Sequence, residues 1–212
     1  MSIALRLLKV EYKYKSTPQK AKFIIHKLED KKWVVQRSQD LDADVSEAFH
    51  DLVLHDLDGG LDTEDKQIAW INSILLLIKM TFDHRDKTKN ILLASEWLFD
   101  SYCSKNKLLA FIQMTVVLEI LLGDKASSDQ VGLGVLLRNR CAYLIGDTKS
   151  ERESILLDFQ KIYDVRSRIV HGGKSKLNAA EFALFRKLQW MCRRIIHKEI
   201  ELLDKDLKKI GQ

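Results

Sequence analysis

The chain has 212 residues, enough for one well-buried core, or one core with a small appendage. Hydrophobic residues make up 46% and charged residues 31%, a balance that argues for a folded domain and against a disordered chain. The net charge of +5 hides an asymmetry: ten acidic residues and no Lys or Arg lie between Asp40 and Asp65, leaving 35 basic against 20 acidic residues elsewhere.

Residues 3–37 differ in pattern from all that follows. Val10-Glu-Tyr12-Lys-Tyr14-Lys alternates with period two, and Phe23–Ile25 and Trp33–Val35 flank the turn-like Glu29–Lys32. This predicts two or three short antiparallel strands. Within the acidic stretch the pattern predicts one short helix near Val45–Leu54, then a turn at Asp58-Gly59-Gly60. Thr63 is placed to cap a helix carried by Ile68, Ile71, Ile74 and Ile78 to about Met80. From Asp86 onward the apolar spacing is helical, over 87–104, 106–122, 129–145, 150–171 and 178–208. Breaks at 104–106, 123–128, 146–149 and 172–176 carry capping and stop residues. Five helices joined by short loops predict a bundle of antiparallel neighbours.

The expected organisation is therefore mainly α. A small N-terminal α/β element with its acidic connector occupies 1–63, a linking helix 64–86, and a helical bundle 87–212. Arg6 and Lys9 interrupt the first apolar run, so no signal-peptide core is expected there. Ile74–Ile78 and Leu108–Leu122 are too short for a membrane span, so the expected location is cytoplasmic, with no membrane partner. Cys103, Cys141 and Cys192 are far apart and form no Cys-x-x-Cys pair; they read as small buried hydrophobes in a reducing compartment. The basic body outside the acidic stretch suits a polyanion such as nucleic acid, although a solvated lysine-rich surface has the same composition.

The helix over 150–171 carries the chemistry. With Ile155 as origin and 100° per residue, Phe159, Ile162, Ile169 and Val170 fall within about 60° of it, and Arg166 falls near 20°. A guanidinium facing a core needs a partner. Glu119, the one charge between Leu108 and Leu122, is the candidate, with Arg140 competing for it. Five residues after Arg166 stands His171, at the negative end of the helix dipole, and Gly172-Gly173 then ends the helix. Imidazole exchanges protons near neutral pH, and guanidinium suits a phosphate. Attack of RNA's own 2′-hydroxyl on the adjacent phosphate needs a base, an acid and a cation, and no metal. One histidine does not easily serve as base and acid in one step, so two copies of the chain would complete the set. The bare Arg-x4-His spacing is weak, with roughly 0.3 matches expected by chance. On an ideal helix the two side chains also point about 140° apart.

Ile162-Tyr163-Asp164-Val165-Arg166-Ser167-Arg168-Ile169-Val170-His171-Gly172 resembles the signature of the HEPN superfamily (higher eukaryotes and prokaryotes nucleotide-binding). It is most similar to the ApeA-like branch, with Tyr-x-x-Arg-Ser-x-x-Val-His-Gly near the end of a long helix. The resemblance extends through Ile91–Glu96, Phe111–Leu122 and Leu136–Leu144, over roughly residues 87–205. It implies a dimerising helical bundle that cuts RNA without metal or cofactor, in a toxin or antiphage defence role, with Arg166 and His171 as the active pair. Many members carry Asn, Asp or His after the motif arginine; here Ser167 stands there, as in the ApeA-like branch. On this reading Glu119, Tyr163 and Ser167 support the site, Arg138, Arg140 and Arg168 contact RNA, and an antitoxin or sensor is a further partner. Separately, the charge contrast between the acidic segment and the basic body suggests that this segment covers the basic cleft as a brake. The rival reading is a non-catalytic HEPN-type module for dimerisation or for binding protein or RNA.

Other motifs are weaker. Asp40-x-Asp42-x-Asp44 has Val45 where a calcium loop needs glycine. His50-Asp51 and His55-Asp56 read as surface turns rather than metal ligands, and Gly132-x-Gly134 lacks the strand of a dinucleotide fingerprint.

Overall fold

The computed structural model describes residues 10–12, 21–50, 52–54, 63–124 and 132–210. The chain divides into two units, Lys9–Gly60 and a second that includes Leu61–Gln212. No helix among the described residues is long and apolar enough to cross a membrane.

In the first unit, β2 (Lys22–Glu29) and β3 (Lys32–Asp40) form an antiparallel hairpin. Asp30 and Lys31 turn it with φ of +47° and +62°, the left-handed pair that a two-residue hairpin loop demands. The register slips at Ile25/His26, a bulge that adds twist. Helix α1 (Ala43–His50) follows, and buried Ser46 ties it to the hairpin's base: its hydroxyl accepts from the Ala21 N–H and donates to the Leu41 carbonyl, both at 3.2 Å. The helix expected over Val45–Leu54 is thus shorter and earlier. Leu52–Leu54 instead forms β4, antiparallel to β1 (Val10–Tyr12), because an apolar Leu-Val-Leu run gains more from pairing than from continuing a helix. The Asp58-Gly59-Gly60 turn, and Tyr14 of the alternating run, lie outside the described residues.

The second unit is helical: α2 (Glu64–Asp83), α3 (Arg85–Cys103), α4 (Lys107–Leu122), α5 (Leu133–Ile145), α6 (Lys149–His171) and α7 (Ala179–Ile210). Side-chain caps open three of them. The Thr63 hydroxyl accepts from the Lys66 N–H, Asn106 accepts from Leu108 and Leu109, and Thr148 and Glu151 close a reciprocal capping box. Gly132, at φ +80°, admits a backbone into α5 that a side chain would strain.

Helix α4 is the hub. It is apolar nearly all round, as the sequence shows, because α3, α5, α6 and α7 all pack on it. Phe111, Met114, Val117 and Leu118 are fully buried, with Leu98 of α3, Leu137 of α5, Phe159 and Ile162 of α6, and Leu188 and Ile195 of α7. Removing a side chain such as Leu118 from such a core costs about 2–5 kcal/mol. The helix expected to link the two parts, α2, contacts α3 and α7 and buries Ile74 and Thr81 within this unit. Cys141 and Cys192 are buried as expected; Cys103 is half-buried. Burial pushes the Cys141 thiol up to about 12, which leaves it inert at neutral pH.

Candidate functional site

Helices α4, α5, α6 and α7 all pack on one another, and the candidate residues lie on them. Along α6, Ile155, Phe159, Ile162 and Val165 are buried and Ile169 is half-buried. Val170, expected on this face, is 48% exposed. The inward sector is centred between Ile155 and Ile162, so it takes in Val165 and leaves Val170 outside.

Arg166 stands at the edge of that sector, its side chain 30% exposed. Its Nη2 lies 3.2 Å from Glu119 Oε1, and the Tyr163 hydroxyl donates to the same oxygen at 3.2 Å. The Tyr163 ring stacks on Phe159 at 4.9 Å, and the Arg166 guanidinium lies over it at 5.8 Å. Burial, then the nearby Glu119 carboxylate, push the Tyr163 hydroxyl far above its usual range, so it stays a neutral donor. Glu119 therefore holds both the ring and the guanidinium in place. The Arg166 Nε is buried without a hydrogen-bond partner, a donor left uncompensated in a charged cluster.

Arg140, the competing cation, goes elsewhere. It donates to the Leu122 carbonyl at 2.9 Å and pairs with Asp124 at 3.6 Å, where α4 ends. Arg138 donates to Gln160 Oε1 at 3.3 Å, and Gln160 passes the link to Asp164. Arg168 is the most exposed of the group; it donates to the Asp164 carbonyl and lies 3.4 Å from Glu181 Oε1. Ser167 is exposed.

His171 closes α6 and is exposed, and among the described residues no hydrogen bond or ion pair engages its ring. The helix stays regular to this point: the Gly172 N–H reaches the Arg168 carbonyl at 3.0 Å. Arg166 and His171 of one chain therefore lie about 7.5 Å apart along the axis and on different faces of α6. Glu119, Tyr163 and Arg166 come together; His171 stands apart from them.

One charged residue escaped the sequence reading. Glu181 is 3% exposed, and its carboxylate meets Lys174 at 3.0 Å as well as Arg168. Asn178-x-x-Glu181 is a legible capping-box pattern, but nothing in the sequence shows two cations converging on it. Among the described residues no three His, Cys, Asp or Glu side chains are grouped so as to hold a metal ion. No protein-family model, no curated protein and no solved structure matches this chain.

Proposed function

We propose that the chain is a metal-independent endoribonuclease of HEPN type, working as a homodimer in a toxin or antiphage defence role. The observation that carries the reading is the Glu119–Tyr163–Arg166 cluster, a guanidinium braced on two sides, with an exposed His171 on the same helix. Such bracing lowers the entropy lost when Arg166 takes a phosphate.

In the proposed reaction Arg166 holds the scissile phosphate and neutralises the charge that builds on its oxygens. A neutral His171 takes the proton of the 2′-hydroxyl as its oxygen attacks phosphorus. The imidazolium of the second copy's His171 gives its proton to the departing 5′-oxygen. The products are a 2′,3′-cyclic phosphate and a 5′-hydroxyl. The divergence of Arg166 and His171 on one helix is a second reason for two copies, beside the need for both a base and an acid: a single chain does not converge its own pair. Arg138, Arg140 and Arg168 line the approach for RNA, with Ser167 beside the motif arginine. An antitoxin or sensor partner would restrain the activity in the cell.

The test is incubation of the purified chain with total RNA and tRNA in EDTA, beside Arg166→Ala and His171→Ala variants verified as folded. Cyclic-phosphate ends from the wild type are expected, with a loss on the order of a thousandfold in each variant. Intact RNA at enzyme excess and several pH values would overturn the reading.

One observation favours the alternative, a non-catalytic HEPN-type binding module: Glu119 within the same chain already neutralises Arg166. Under that reading Arg166→Ala lowers the melting temperature and leaves RNA binding, with its salt dependence, unchanged.

A further inference from the structure

We propose that Glu181 is a positioning residue for the His171 site, a buried clasp that ties the chain before His171 to the chain after it. The proposal rests on the ribonuclease reading for its catalytic consequence; the clasp itself is geometric.

Beyond His171 the backbone has little of its own to hold it. Gly173 turns with φ +60°, and residues 172–178 return the chain to α7. Glu181 lies in the first turn of α7, and its two carboxylate oxygens have separate tasks. Oε2 accepts from the Asn178 N–H at 2.8 Å while Asn178 Oδ1 accepts from the Glu181 N–H at 2.9 Å, which caps the helix. Oε1 meets Lys174 Nζ at 3.0 Å and Arg168 Nη2 at 3.4 Å. Those cations stand three residues on either side of His171. Lys174 and Arg168 are the cations that hold this oxygen.

Capping alone does not call for this arrangement. At the start of α6, Glu151 completes the same kind of box with an exposed carboxylate. The Glu181 side chain is 4% exposed, and burying a carboxylate is costly unless cations repay it. Arg168 and Lys174 do so, and in return the turn that carries His171 is closed. The clasp has a second consequence: its carboxylate competes with an RNA backbone for Lys174 and for Arg168, which weakens the contact that Arg168 makes at the RNA approach.

Glu181→Gln in the full chain separates the tasks. Glutamine keeps an acceptor for the Asn178 N–H and loses the charge. The expected results are faster amide hydrogen exchange at residues 172–176 and tighter RNA binding. The salt slope should steepen by roughly 0.7 for each freed cation. Turnover should fall on the order of tenfold or more as His171 loses its register. Affinity and kcat thus move in opposite directions, which loss of fold does not produce, and Glu181→Asp, which keeps the charge, restores part of kcat. Unchanged exchange at 172–176 overturns the clasp whether or not the chain cuts RNA. Faster exchange with unchanged kcat overturns the positioning role. A wild type that never cuts RNA defeats the ribonuclease reading by itself, and exchange and RNA affinity still judge the clasp.

Discussion

At its first turn α6 is closed by residues that are neighbours in the chain: Glu151 Oε2 accepts from the Asp147 and Thr148 N–H groups, and Thr148 accepts from Glu151. At its last turns the partners come from other helices. Glu119 of α4, 44 residues from Tyr163, holds Tyr163 and Arg166, and Glu181 of α7 holds Arg168 and Lys174. The first end satisfies exposed polar groups with short local loops. The second places cations against a core and therefore needs anions delivered by packing. Local closure survives changes elsewhere in the bundle, whereas imported closure depends on the helices staying in register.

Glu119→Ala should break this comparison hardest. It leaves a partly buried guanidinium and a tyrosine hydroxyl without their acceptor, at a cost of about 2–3 kcal/mol in denaturant unfolding. A double-mutant cycle with Arg166→Ala should return a coupling of about 1 kcal/mol or more; additive losses would mean that the ion pair is ornamental. Thr148→Ala is the control at the other end. Losing that cap should cost about 1 kcal/mol and, on the proposed ribonuclease reading, leave RNA cleavage at the wild-type rate. A loss of cleavage in this variant would show that the two ends are coupled.

The smallest expected effect is in acid. Burial works to raise the Glu181 carboxyl, but the Asn178 N–H, Lys174 and Arg168 together hold it below the usual glutamate range. A carboxyl lowered in the fold stabilises above its unfolded value, about 4.3, and that contribution is lost as pH falls through the lowered folded value. Unfolding stability measured from pH 6 downward should therefore decline more gently in Glu181→Gln than in the wild type. It should not become flat, because backbone N–H groups of Thr148 and Asp147 also lower Glu151, and Lys198 and His197 lower Glu201 against its burial. An unchanged acid limb would mean that Glu181 does not titrate with folding.

Much of the helical unit was readable in the sequence because its causes are short-range. Thr63, Asn106 and Thr148 stand where helices begin, and glycines stand where α4, α5 and α6 end. The three-and-four spacing of apolar residues marks the inward face of α6 apart from its last turn. The hairpin turn at Asp30-Lys31 was similarly bracketed by its two apolar runs. The single charge on an apolar α4 was enough to mark Glu119 as a partner for an inward arginine, since a buried guanidinium must find an anion.

What the sequence left open has long-range causes. It did not show that Leu52–Leu54 pairs with Val10–Tyr12, because strand pairing depends on which edge arrives beside it. It pointed to Arg166 as the partner of Glu119 but kept Arg140 as a competitor; the crossing of α4 and α6 brings Arg166 to Glu119, while the end of α4 offers Arg140 a carbonyl and Asp124. Nor did it disclose the second task of Glu181, which needs the return of α7 past the end of α6 to bring Arg168 and Lys174 onto one oxygen. Spacing and capping are properties of neighbouring residues, and the sequence alone determined them. Which charges meet is a property of helix packing, and only the tertiary structure decided that.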